Sequence, residues 1–245
     1  MRVTNILILL CILASLCSWY LSGVSSSLVQ DNLAFSLKNM EEGRVWTVVT
    51  AIFVHASFLH LLGNMIFLYV FGNTLESLSN SKRVLFAFFL GGLLSFPLSL
   101  PFFPSDATFV GASAAIFTLT AVVMLMKPLR FSWLLLMPVG LVAILYFLYN
   151  AFAVYYHLQS DVAYVSHIIG FSLGLPLGIA WSTQWKRNLM ISIGLLAAYF
   201  IILQIVTQFV LPSIGKFTLP ILISRNSFQP TRHVQLFANC CYPYV

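Results

Sequence analysis

Residues 111–126, GASAAIFTLTAVVMLM, carry no charged side chain, and the apolar run from Ala112 stops at Lys127. A helix of about 15 residues rises only about 22 Å, short of the roughly 30 Å hydrocarbon layer of a bilayer. Such a segment cannot cross a membrane facing lipid along its whole length. It must begin or end inside the membrane, shielded by other helices, because lipid offers no partner to unpaired backbone groups. This short run therefore predicts a bundle around it.

The rest of the chain supplies that bundle. Apolar stretches at roughly 5–24, 58–78, 84–103, 131–156, 162–183 and 189–212 are each long enough for a membrane helix. Only 7% of the 245 residues are charged and 60% are hydrophobic, against about 25% charged in an ordinary globular domain. The composition excludes a water-soluble surface. The expected fold is all-α: a polytopic membrane protein with a six-helix core and one C-terminal transmembrane helix. The transmembrane domain takes in residues 1–212, followed by a tail, 213–245, to which the sequence assigns no role.

Charge orients the bundle. With the N-terminus inside, Arg2, Lys82, Arg83, Lys127, Arg130, Lys186 and Arg187 fall on the inner side, and the outer loops keep only Lys38 and Arg44. That is the positive-inside pattern. The tail, with Lys216, Arg225 and Arg232, then lies outside. Residues 1–24 have an apolar core long for a signal peptide, and Trp19 and Tyr20 near their end suit an interfacial belt, so they are expected to remain as the first helix. With no organelle-targeting segment read ahead of the first span, the expected location is the plasma membrane of a prokaryote, with a eukaryotic secretory membrane as the alternative. Residues 25–57 mix charge with Phe35, Leu37, Met40 and Trp46 and read as an amphipathic loop at the outer interface. The net charge of +6 comes from scattered residues rather than a basic patch, which excludes a nucleic-acid partner. Cys11, Cys17, Cys240 and Cys241 have neither zinc nor redox spacing.

Polar side chains are costly in lipid, so their positions are informative. The second span opens with His55, His60 and Asn64, the fourth with Ser113, and the sixth holds Ser166 and His167. All three spans run from outside to inside. His60, Asn64 and His167 then lie within roughly 10 Å of the outer boundary, and Ser113 joins them if the short fourth helix starts below it. Each residue also has a plainer reading. A membrane serine often bonds its own helix, and a histidine or asparagine can join two helices. Gly170, Gly174 and Gly178 read as a packing ridge that lets helices approach closely, here drawing the sixth span onto the fourth and His167 onto Ser113.

The set matches the needs of acyl transfer. A serine hydroxyl becomes nucleophilic when a base takes its proton, and His167 fits that role for Ser113. The tetrahedral intermediate needs donors for its oxyanion. His60 and Asn64, four apart on one helical face, fit together with the Ser113 backbone N–H. Asp161, six residues before His167, belongs to the surface, so the expected unit is a Ser–His dyad. With no H-E-x-x-H and no carboxylate pair in the spans, neither metal nor cofactor is expected.

The segment Trp46–Glu76, WTVVTAIFVHASFLHLLGNMIFLYVFGNTLE, resembles the first-loop and second-helix signature of rhomboid proteases. Gly111-Ala112-Ser113-Ala114 is similar to their G-x-S-x motif, and His167-Ile168-Ile169-Gly170 to their H-x-x-G. The resemblance covers about 40–185. It implies an intramembrane serine endopeptidase with Ser113 and His167 catalytic, His60 and Asn64 stabilising the oxyanion, Phe117 packing under the histidine, and Glu76 structural; Gly170 and Gly174 give structural support through the packing ridge. The implied partners are single-pass transmembrane substrates, cut near the outer face, and membrane lipid. The sequence departs from the family at Thr47, where an Arg commonly follows the Trp, leaving that role to Arg44 or unfilled, and at Ala114, where Gly is frequent. A non-proteolytic relative that binds transmembrane helices is the alternative; it would be expected to lack the Ser or the His. A transporter would spread its polar residues through the bilayer depth, whereas here they stop in the outer third.

Overall fold

The computed structural model describes residues 2–158 and 162–210. Asp161 and the tail from 211 onward, with Cys240 and Cys241, lie outside the described residues. The protein is a helical membrane bundle. Five helices are long and apolar enough to cross a bilayer, and two shorter apolar ones, Ser113–Met126 and Val139–Tyr155, stand with them among the described residues.

The first, α1 (Val3–Val24), has no cap of its own. Its free N–H groups are met from across the fold by Glu76, whose carboxylate accepts from the Val3 N–H at 2.8 Å, the Thr4 N–H at 3.1 Å and the Thr4 hydroxyl at 2.7 Å. A carboxylate there also suits the positive end of the helix dipole.

Residues 25–57 fold into three short helices, α2 (Ser26–Asn32), α3 (Leu37–Glu41) and α4 (Thr47–Phe53). Arg44 steadies this segment by donating to Asn39 Oδ1 at 3.1 Å, while Asn39 donates to Gln30 O and Ala34 O, both at 2.8 Å. A short strand, β1 (Phe35–Ser36), pairs antiparallel with β2 (Thr108–Phe109), tying the segment to the chain just ahead of Ser113.

The second span starts at α5 (Phe58–Phe67), capped by the Ser57 hydroxyl, which accepts from the His60 N–H. It continues through a π-helical turn, Leu68–Gly72, into α6 (Asn73–Leu78). Next come α7 (Ser81–Ser99), α8 (Ser113–Met126), α9 (Val139–Tyr155) and α10 (Tyr164–Trp181). The fifth apolar stretch, expected to be helical from 131, is not. Residues Phe131–Ser132 and Met137–Pro138 form a hairpin, β3 and β4, with Leu136 at φ 55°, and the helix begins only at Val139.

Every residue of α8 from Ala114 to Leu125 is buried. The short helix is therefore shielded on all sides, as its length requires. Glycines make that possible. A Cβ on Gly91 of α7 would sit 2.1 Å from Thr118 Oγ1, and one on Gly170 or Gly174 of α10 would sit 2.2 Å from Ala114 O or 2.4 Å from Thr118 O. At the far end of the ridge Gly178 faces Leu125. The Gly170–Gly174–Gly178 ridge thus lies directly on the α8 backbone, and Thr118 bridges the two helices by donating to Gly170 O at 2.7 Å.

The last helix, α11 (Trp185–Ile205), runs across the boundary between two units, Met1–Leu196 and the chain from Ala197. Within the first unit Asn188 donates to Leu125 O at 2.8 Å and Met126 O at 3.0 Å, meeting carbonyls that the α8 C-terminus leaves unpaired. In the second unit the described residues complete α11 and form a π-helical turn, Val206–Val210.

Candidate active site

Ser113, His167, Phe117, His60 and Asn64 converge at the N-terminal end of α8. Ser113, partly exposed, is the first residue of that helix, and its Oγ lies 2.7 Å from His167 Nε2. His167 belongs to the second turn of α10 and is only 5% exposed. The glycine ridge explains the distance, since only a close approach of α8 and α10 lets the two side chains meet.

The imidazole is held on three sides. Phe117, one turn after Ser113, stacks on it with centroids 4.6 Å apart and planes 12° from parallel. Phe117 in turn stacks on Tyr146 at 4.6 Å, and Tyr146 rests against Phe67 at 4.8 Å. The third contact is one the sequence reading missed: Asn150 of α9 places Oδ1 2.7 Å from His167 Nδ1. Asn150 lies in an apolar run, LVAILYFLYNAFAVYY, where any strongly polar side chain signals an interhelical role.

The turn before Ser113 is set by backbone demands. Gly111 has φ +116°, a conformation that disfavours side chains. Its N–H donates to Ala51 O at 2.7 Å, and the next residue, Ala112, donates to His55 Nε2 at 3.4 Å. His55 is itself fixed, with Nδ1 3.0 Å from Ser15 Oγ and its carbonyl accepting from Trp19 Nε1 at 2.7 Å. His55, a polar residue at the start of the second span to which the sequence alone assigns no role, braces the serine turn.

His60 and Asn64 lie against the same turn. A Cβ on Gly111 would fall 2.8 Å from His60 Nε2 and 3.8 Å from Asn64 Nδ2, which puts both side chains beside the residue two positions ahead of Ser113. Asn64 donates one amide hydrogen to His60 O at 3.1 Å. The first-turn N–H groups of α8, that of Ser113 among them, have no acceptor within the helix. Polar side chains from α5 thus lie beside Gly111, close to the first turn of α8 where the Ser113 hydroxyl meets the His167 ring. Glu76, by contrast, acts on the N-terminus of α1 and takes no part in this cluster.

Two curated relatives share sequence with parts of the chain. Rhomboid-like protein 11, chloroplastic, from Arabidopsis thaliana is 36% identical over 85 residues, covering 35% of this chain and 29% of its own length. "Putative rhomboid protease YdcA" from Bacillus subtilis (strain 168) is 34% identical over 88 residues, 36% of this chain and 44% of its own. The chain thus spans less than half the length of either. The Rhomboid domain model matches residues 42–184, from the loop ahead of α4 through the end of α10. With that match covering more than half of its length, this chain belongs to the rhomboid family.

Proposed function

We propose that this chain is an intramembrane serine endopeptidase in which Ser113 attacks a substrate peptide carbonyl and His167 takes its proton. The observation that carries the reading is the 2.7 Å separation of Ser113 Oγ and His167 Nε2, on two different helices inside a membrane bundle. Family membership supports proteolysis at the level of the family, and the site carries both groups the reaction needs.

In this mechanism the hydroxyl adds to the carbonyl carbon as its proton moves to Nε2. The resulting oxyanion accepts hydrogen bonds from the His60 ring, the Asn64 amide and the Ser113 backbone N–H, the kind of preorganised donors that act most strongly away from bulk water. His167 then returns the proton to the leaving amine. Water, deprotonated by the same ring, hydrolyses the acyl-enzyme. The substrate class is a single-pass transmembrane protein, cut near the outer end of its helix. The N-terminus is inside, the 213–245 tail outside, and the host membrane a plasma membrane; the distribution of Lys and Arg supports this orientation.

The test is cleavage of a single-pass substrate by the purified protein in detergent or liposomes, compared with Ser113→Ala and His167→Ala. Cleavage by the wild type alone supports the reading. Equal cleavage by all three overturns it, and a wild type that binds the substrate uncut favours a helix-binding role.

A further inference from the structure

The ring of His167 is oriented by an amide. Asn150 is 1% exposed, and both ends of its side chain are engaged. Its Nδ2 lies 2.7 Å from Tyr146 O, one helical turn back, and its Oδ1 lies 2.7 Å from His167 Nδ1. A backbone carbonyl only accepts, so the amide nitrogen must face Tyr146 and the amide oxygen must face the ring. Two acceptors cannot bond to one another, so Nδ1 must carry the hydrogen. A neutral imidazole has one N–H; Nε2 is then left with its lone pair toward Ser113 Oγ.

We propose that Asn150 is the positioning residue of this site, fixing His167 as the Nδ1–H tautomer with Nε2 directed at the Ser113 hydroxyl. The proposal rests on the reading of Ser113 and His167 given above. It replaces the expected dyad with a chain of hydrogen bonds in one direction: Ser113 O–H to Nε2, Nδ1–H to Asn150 Oδ1, Nδ2–H to Tyr146 O. The three side chains come from α8, α10 and α9, so the bond also ties α9 to the catalytic pair.

The chemistry favours an amide here. When Nε2 takes the serine proton, Nδ1–H still donates to Asn150, whose carbonyl dipole stabilises the cation. A carboxylate would do so more strongly, but would first have to be buried as a charge within a membrane bundle. An asparagine merely satisfying itself on its own helix would need only the Tyr146 bond; the second contact, to a ring on another helix, is what that simpler role leaves unexplained.

The test compares full-length wild type, Asn150→Leu and Asn150→Asp, with two readouts. Imidazole ¹⁵N shifts, with the His167 signal assigned by its loss in His167→Gln, report the tautomer without turnover. Cleavage of a single-pass substrate gives kcat and KM. The expected wild-type signal is the Nδ1–H form. Asn150→Leu is expected to lose it and to lower kcat by about 10–100-fold at little changed KM, the scale of one buried hydrogen bond. Asn150→Asp, which keeps an acceptor at the same place, is expected to retain the tautomer and recover most of the loss. An Nε2–H wild-type signal, or Asn150→Leu with unchanged tautomer and kcat, overturns the proposal. If the wild type cuts nothing, the proteolytic reading fails while the tautomer still decides the role of Asn150.

Discussion

Phe117 lies flat against His167, its ring centroid 4.6 Å from the imidazole and its plane 12° from parallel. The stack continues to Tyr146, against which Phe67 leans at a tilt, so side chains from α10, α8, α9 and α5 adjoin in sequence. An imidazole that must turn neither away from Ser113 nor away from Asn150 gains from a flat floor, and each aromatic pair contributes about 1 kcal/mol beyond burial.

Replacing that floor should therefore loosen the His167 ring without removing it. Phe117→Leu is expected to lower kcat by about tenfold, the scale of those stacking energies, with the fold retained. Steady-state cleavage of a model substrate checks this, and an unchanged kcat would mean that the stack has only a packing role.

The glycine ridge gives a sharper prediction, because it contrasts two glycines. A methyl at Gly170 would meet the Ala114 carbonyl oxygen at 2.2 Å, and backbone cannot move aside cheaply. Gly170→Ala should cost about 1–3 kcal/mol of stability and lower activity as well, since separating α8 from α10 pulls Ser113 from His167. Gly63→Ala, where nothing lies within 4 Å among the described residues, should be neutral or slightly stabilising. Thermal unfolding in detergent measures both.

Glu76 should matter for stability and leave the chemistry alone. Glu76→Gln places an amide nitrogen against N–H donors of α1 and so removes part of the cap that now holds Val3 and Thr4. The expected cost is about 1–2 kcal/mol, read as a lower Tm with little change in kcat well below it.

The donors beside Gly111 should act on the transition state. His60→Ala and Asn64→Ala are each expected to lower kcat by about 10²–10³-fold with KM nearly unchanged. The double variant should lose less than the product of the two. Parallel losses in KM would instead assign these residues to substrate binding.

Much of this architecture was legible in the residues. The apolar runs marked the helices, and the shortness of 112–126 required an enclosed α8. The Gly170–Gly174–Gly178 spacing announced the ridge, because small residues four apart form one helical face. Two features escaped for physical reasons. Phe131, Trp133, Leu134, Leu135 and Leu136 are as apolar as α9 itself, so composition did not reveal that the chain turns back through a hairpin before Val139. Asn150 meets His167 across two helices and 17 positions of sequence, a pairing that no local spacing encodes. The brace from His55 to Ala112 is of the same kind, linking residues 57 apart.

The central claim is that Ser113 is a nucleophile activated by His167. It is tested most directly by treating the purified protein with a fluorophosphonate probe and locating the adduct by mass spectrometry. The account predicts a single phosphonylated residue, Ser113, with labelling abolished in Ser113→Ala and strongly reduced in His167→Ala. An adduct on another residue, or labelling of Ser113 at the wild-type rate when His167 is replaced, would contradict it.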